Sequence, residues 1–201
     1  MNDRQFLKHL EKLQGWREMA FILALAERSY PNYAMFAALT RPAWGERIRE
    51  CLDHGWRYLS LKKHDVDVFK ELARLETAVP EPEEHDMYGV HPALDMVWLL
   101  EQAFLTQVNP DKRRALDASQ RSLATVTGFV EVTEGDGLSD DELVDLFDRH
   151  ELVRLEWAFQ KEAYKWLRDT ESPLGGKIDE LIELAANDGV SNLGLDPDRL
   201  D

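Results

Sequence analysis

Four residues within eleven positions, His85, Asp86, His91 and Asp95, offer the nitrogen and oxygen donors that can hold a divalent metal. A closed zinc site needs four convergent ligands, and a di-iron bundle needs Glu-x-x-His on two facing helices. Glu-x-x-His occurs nowhere in the chain. His91 would share a helical face with Asp95 only if the helix began before Pro92, so His85 and His91 are not expected to build a metal centre.

A second chemistry open to these residue types is acid–base work by paired carboxylates. Glu27, Asp95, Glu131 and Glu156 all fall on or near apolar helix faces. Two of them meeting in a cleft could divide the acid and base roles if burial raised one pKa. The competing expectation is that Glu27 pairs with Arg28 or with an arginine from a facing helix, because buried carboxylates need partners. Asp95 near a helix start has a structural use too, since a negative charge is favoured there. Nucleophile and phosphate signatures are absent: there is no Gly-x-Ser-x-Gly, no phosphate loop and no Gly-x-Gly-x-x-Gly. No cofactor is expected. The single cysteine, Cys51, lies at helical spacing with Ile48, Leu52, Gly55 and Trp56, which makes it a core residue rather than a nucleophile.

The elements that must position these residues are helices throughout. Apolar residues recur every three to four positions, and no stretch alternates with a period of two. Asp3 is expected to cap a helix carrying Phe6, Leu7, Leu10 and Leu13, and Gly15 to interrupt it. Residues 16–29 read as a helix apolar on nearly every side, hence central. Pro31 is expected to restart a short helix over 33–39, and Pro42 to begin another over 42–60. Asp65 would cap the next, which carries Phe69, Leu72 and Leu75 and stops before Pro80 and Pro82. The acidic loop that follows holds Glu81, Glu83, Glu84 and Asp86. Met87, Tyr88 and Val90 then surround Gly89, which would allow a turn with positive φ, and Pro92 opens a helix to about 107. Asn109 and Pro110 would start a helix over 110–133. Ser139 and Glu142 form a capping box. Helix 150–169 would turn Leu152, Leu155 and Phe159 inward, and a helix over 176–187 would end at Asn187-Asp188-Gly189. The fold expected is all-α: one domain, a mostly antiparallel bundle of eight or nine helices, with its core over about 3–194 and a frayed tail over 195–201.

The 201 residues are 44% hydrophobic, with six Trp and eight Phe, ample for one core. Lysine and arginine number 24 against 39 carboxylates, a formal charge of −15. That balance argues against nucleic acid and against an anionic membrane surface as partner. The start has no apolar signal core and the longest apolar run, 19–26, is too short for a bilayer. A soluble, cytoplasmic protein is expected.

Three stretches have a familiar form: W-R-E-M-A-F-I-L-A-L-A-E-R-S-Y-P-N-Y, then V-P-E-P-E-E-H-D-M-Y-G-V-H-P-A-L-D, then N-D-G-V-S-N-L-G. Together they resemble the YjaG-like family of small bacterial proteins, over about residues 6–195. The most specific piece is D-M-Y-G-V-x-P-A-x-D at 86–95. The resemblance implies an all-helical fold and supplies no activity. Glu27-Arg28 and Pro31-Asn32-Tyr33 match family positions, His85 and His91 occupy variable ones, and the link over 172–177 is particular to this chain.

Two functions follow as expectations. The first is a binding or regulatory module acting through protein contacts, either with a partner or as a homodimer. Met35, Phe36, Trp44, Trp157 and Tyr164 are its interface candidates, being more apolar bulk than one core is expected to hide. The second is a hydrolase or lyase using carboxylates near Glu27 and Asp95. Glu27, Arg28, Asn32, Tyr33, Asp86, Tyr88 and Asp95 are the candidate pocket or loop contacts.

Overall fold

The long second helix is the axis of the molecule. In the computed structural model, which describes residues 2–61 and 65–197, it runs without a break as α2, Trp16–Thr40. Its residues from Met19 to Ala26 are almost wholly buried. Pro31 lies inside it rather than between two helices. A proline there has no N–H for the carbonyl of Glu27, but the helix on both sides is buried, and tertiary packing outweighs the local loss. The backbone N–H of Asn192 donates to the Arg28 carbonyl at 3.2 Å, close to that disturbed turn.

Around α2 lie α1 (Asp3–Leu10), α3 (Pro42–Ser60), α4 (Val68–Glu76) and α5 (Val90–Leu105). The chain continues with α6 (Arg114–Glu134), α7 (Asp140–Arg149), α8 (Glu151–Asp169) and α9 (Ile178–Ala186). Among the described residues there are nine α-helices, two short 3-10 turns and no strand, so the all-α expectation holds. None of these helices is long and apolar enough to cross a membrane. One core links both ends of the chain, from Phe6 to Ala185, and a smaller cluster joins Val126, Val130, Leu146, Val153 and Leu193. Gly55 lets α3 approach α2: a Cβ there would stand 2.7 Å from a methyl of buried Leu23.

Helix starts depart from expectation where a neighbour caps better. Asn2, not Asp3, accepts the N–H of Gln5. Asp67, not Asp65, accepts from Phe69 and Lys70, while Asp65 pairs with Arg57. Asn109-Pro110 does not open α6; Asp111 turns the chain and the helix begins at Arg114. The Ser139–Glu142 capping box is formed. Phe69 and Leu155, expected inward, are 70% and 48% exposed. Of the tail expected to fray, Leu195 is half-buried, and 198–201 lie outside the described residues.

Glu18 gives the fold a pH signature. It is 8% exposed, and its Oε1 has no hydrogen-bond partner. Burial pushes its carboxyl from 4.5 up to about 7, with Arg114 pulling it down and Asp111 pushing it up. The folded state therefore holds a proton that the unfolded chain has released between those two values. Stability should fall as pH rises through about 4.5 to 7 and level off above, by roughly 1–3 kcal/mol. Denaturant midpoints measured across that range should show the slope in the wild type and lose most of it in Glu18→Gln.

Candidate functional site

The three stretches that carry the family resemblance meet at one apolar pocket of about 240 Å³. From α2 come Asn32, Met35, Phe36 and Leu39, a stripe at i, i+3, i+4 and i+7 that only an unbroken helix presents on one face. The corner before α5 supplies Met87, Tyr88 and Gly89, the first turn of α5 supplies Pro92, α6 supplies Phe129, and the C-terminal turn adds Leu193 and Leu195.

Each wall is fixed from behind. The Tyr33 hydroxyl donates to the Ala78 carbonyl at 2.7 Å, tying α2 to the chain entering the acidic loop. Burial pushes that phenol up, so it stays a donor. The Phe36 and His85 rings meet edge to face at 4.9 Å, and Arg41 faces Glu84 at 3.7 Å. Gly89 adopts φ −55, so the positive φ that glycine allows is not used here. A Cβ there would meet nothing within 4 Å, so what glycine supplies is open space beside the pocket. Pro92 lies two residues inside α5, which begins at Val90. Its missing N–H costs nothing, because the first bond of the helix is from Ala93 to Gly89. The C-terminal turn is held by Ser191, whose Oγ accepts from Leu193 and Leu195.

Behind the pocket wall lies a buried amide pair. Asn32 donates through Nδ2 to Asn192 Oδ1 at 2.8 Å, while Asn32 Oδ1 and Asn192 Nδ2 are buried and unpaired. An acceptor left unmade in such a place costs about 1–3 kcal/mol. Two larger grooves, about 490 Å³ between α4 and α5 and about 450 Å³ beside Trp16 and Tyr58, have no buried unpaired polar atom among their lining residues.

The candidate carboxylates are engaged elsewhere. Glu27 accepts from both terminal nitrogens of Arg49 at 2.6 and 2.9 Å and from the Trp56 indole at 2.7 Å. The facing-helix arginine is thus its partner, not Arg28. Asp95 accepts from Thr125 at 2.7 Å and Arg121 at 3.1 Å. Burial raises its pKa, with Thr125, Arg121 and His91 opposing. The two carboxylates share no partner, one facing α3 and the other α6. Because α5 begins before Pro92, His91 and Asp95 do lie one turn apart. Among the described residues no three His, Cys, Asp or Glu side chains are grouped to hold a metal ion. Cys51 is fully buried, and burial pushes its thiol up to about 12.

Arg28 points into a separate buried network. Its guanidinium lies 4.4 Å from the Phe159 ring, and its Nε stands 3.9 Å from Glu156 Oε2. Glu156 Oε1 accepts from Ser122 and from Gln160, both at 2.7 Å. Burial lowers the Arg28 pKa, with Glu156 opposing.

The interface candidates divide. Met35 and Phe36 line the pocket. Trp157 and Tyr164 pack edge-on against Phe6 of α1, and Trp44 is half-buried under Arg41. Asp86 is exposed at the pocket's acidic side. Sequence reasoning did not reach Leu39, Phe129 or Leu195. Leu39 lay inside the short helix expected over 33–39 and was not singled out, while Phe129 has no local signal because it arrives from a distant helix.

A family model described as "Protein of unknown function (DUF416)" matches residues 5–196. "Uncharacterized protein YjaG" of Salmonella typhimurium is 32% identical over 187 residues, covering 92% of this chain and 93% of that protein. The Escherichia coli K12 protein of the same name is also 32% identical over the same shares, and an uncharacterized Haemophilus influenzae protein is 28% identical over 94% of this chain and 95% of its own. The crystal structure of a DUF416 family protein from Shewanella baltica superposes with a TM-score of 0.84 at 26% identity, covering 95% of this chain and 98% of that one. The helical body that brings the three stretches together is thus shared along its length, and the chain belongs to the DUF416 family of proteins of unknown function.

Proposed function

We propose that the protein is a binding module that captures one large apolar side chain of a partner protein in the pocket between α2, the 87–92 corner and the 193–195 turn. The observation that carries this is the pocket's make-up: carbon walls with two methionines among them, and Asn32 and Tyr88 as the polar side chains of the lining. Methionines adapt to an incoming shape, which suits a recognition surface. Leu39 and Met87 at its edge are 76% and 38% exposed, so the apolar surface continues outside.

Size and charge weigh against the second function. Sites for whole small molecules run to about 300–1,000 Å³, and this one is smaller. No carboxylate or histidine lines it, and Glu27 and Asp95 are held by arginines instead. A homodimer through this face would set two acidic loops against each other, which favours a different chain as partner.

Selection from a displayed random-peptide library tests the proposal. Enriched peptides should share a large apolar residue and should lose binding to a Gly89→Trp variant. Peptides that bind both proteins equally, or no enrichment at all, would refute it.

A further inference from the structure

His150 is the one residue between two helices, closing α7 at Arg149 and opening α8 at Glu151. Its backbone serves both: the N–H donates to the Leu146 carbonyl at 2.9 Å, and the carbonyl accepts from the N–H of Arg154 at 3.1 Å. Its ring, 16% exposed, is engaged through both nitrogens. Nδ1 accepts the backbone N–H of Leu152 at 3.2 Å, which is the N-cap bond of α8. Nε2 stands 3.2 Å from Glu134 Oε1 at the end of α6.

That pattern fixes the tautomer. An Nδ1 that accepts has no hydrogen, so the proton of the neutral ring is on Nε2 and is donated to Glu134. A second proton can enter only at Nδ1, where it would meet the Leu152 N–H head on. The cap and the cationic ring are therefore mutually exclusive, and the free N–H groups of the first turn of α8 oppose a cation there as well. Ser, Thr, Asp and Asn, the usual caps, keep their acceptor through the neutral range. A histidine cap loses it where imidazoles titrate, between about pH 5 and 8.

The capped residue reaches beyond its own helix. Leu152 packs on the smaller apolar cluster of Val130, Leu146, Val153 and Leu193, and a Cβ at Gly194 would stand 3.2 Å from its methyl. The charges around the ring are Glu134 from α6, Asp148 and Arg149 from the last turn of α7, and Glu151 and Arg154 from the first turn of α8. Glu134 is the one in ion-pair reach among the described residues. The 191–195 turn has no ionisable side chain; Asp196 follows it, and Asp198, Arg199 and Asp201 lie outside the described residues.

We propose that His150 is a proton-operated cap: neutral, it holds the first turn of α8 and the Leu152–Gly194 contact behind it; protonated at Nδ1, it releases both. The switch needs no partner in the pocket to operate.

NMR on the nitrogen-15-labelled wild type, between pH 8 and pH 5, tests this. At pH 8 the His150 ring should show its proton on Nε2 and a bare Nδ1. On acidification the Leu152 and Gly194 amide signals should move with the midpoint of that ring. The exchange protection of the Leu152 N–H, corrected for the intrinsic effect of pH, should fall about two- to thirtyfold, the range that loss of a capping side chain gives. His150→Asn keeps an acceptor and does not titrate, so both amides should stay still across the same range, while Glu134→Gln should leave the wild-type response in place. A proton on Nδ1 at pH 8, or a Leu152 amide indifferent to the ring, would overturn the cap. So would the same titration in His150→Asn, or its loss in Glu134→Gln, either of which assigns the response to another group. A Leu152 amide that moves while Gly194 stays would overturn the reach to the turn.

Discussion

Replacing Glu156 by alanine should destabilise the protein by about 3–5 kcal/mol, because it strands the Arg28 guanidinium in the interior. Glu156 is 1% exposed and Arg28 9%, so solvent offers the cation little relief. The loss also frees the Ser122 hydroxyl and the Gln160 amide, both of which donate to Glu156 Oε1. For a chain of this size the expected fall in melting temperature is roughly 10 °C. Glu156→Gln should cost less, since it preserves an acceptor for Ser122 and surrenders only the charge. The double replacement Arg28→Met with Glu156→Leu should cost far less than Glu156→Ala, because apolar groups of similar volume often substitute for a buried pair without penalty. Calorimetry on the three variants checks this. A Glu156→Ala protein as stable as the wild type would show that Arg28 has water or another anion to turn to.

Gly89→Trp should abolish peptide binding, by at least about thirtyfold (~2 kcal/mol), while leaving the fold within about 1 kcal/mol of the wild type. Both halves come from the same geometry. Position 89 has a right-handed φ of −55, so any side chain is tolerated by the backbone. An added Cβ meets nothing within 4 Å, so a side chain starting there enters open space. Position 89 lines the pocket, and an indole beginning there competes directly with the partner's anchor. Circular dichroism and thermal melts report the fold, and titration with a selected peptide reports the pocket. Undiminished binding would move the docking surface elsewhere on the molecule.

Helical periodicity made most of the fold legible. The stripe Ile48, Cys51, Leu52, Gly55, Trp56 and Leu59 is buried as its spacing requires. Local rules misled where tertiary packing outweighs them. Pro31 reads as a break, yet the helix passes through it because Met19 to Ala26 and then Tyr33, Phe36 and Ala37 are held in the core. Reading a break there cut Asn32 off from Met35, Phe36 and Leu39, with which it shares a helical face at the pocket. Gly89 suggested a left-handed turn, whereas glycine there leaves space. Trp157 and Tyr164 looked like surplus aromatics because nothing local shows that Phe6, some 150 positions earlier, covers them. Asn192 could not be matched to Asn32 from the sequence, since their contact spans 160 positions.

The most direct test uses the methionine methyl groups. Met35 and Met87 line the pocket, while Met19 and Met96 are fully buried in the core. On adding a selected peptide with one large apolar residue, the NMR resonances of Met35 and Met87 should shift and those of Met19 and Met96 should stay. Saturable binding that leaves Met35 and Met87 unmoved would contradict the assignment of this pocket as the place where a partner docks.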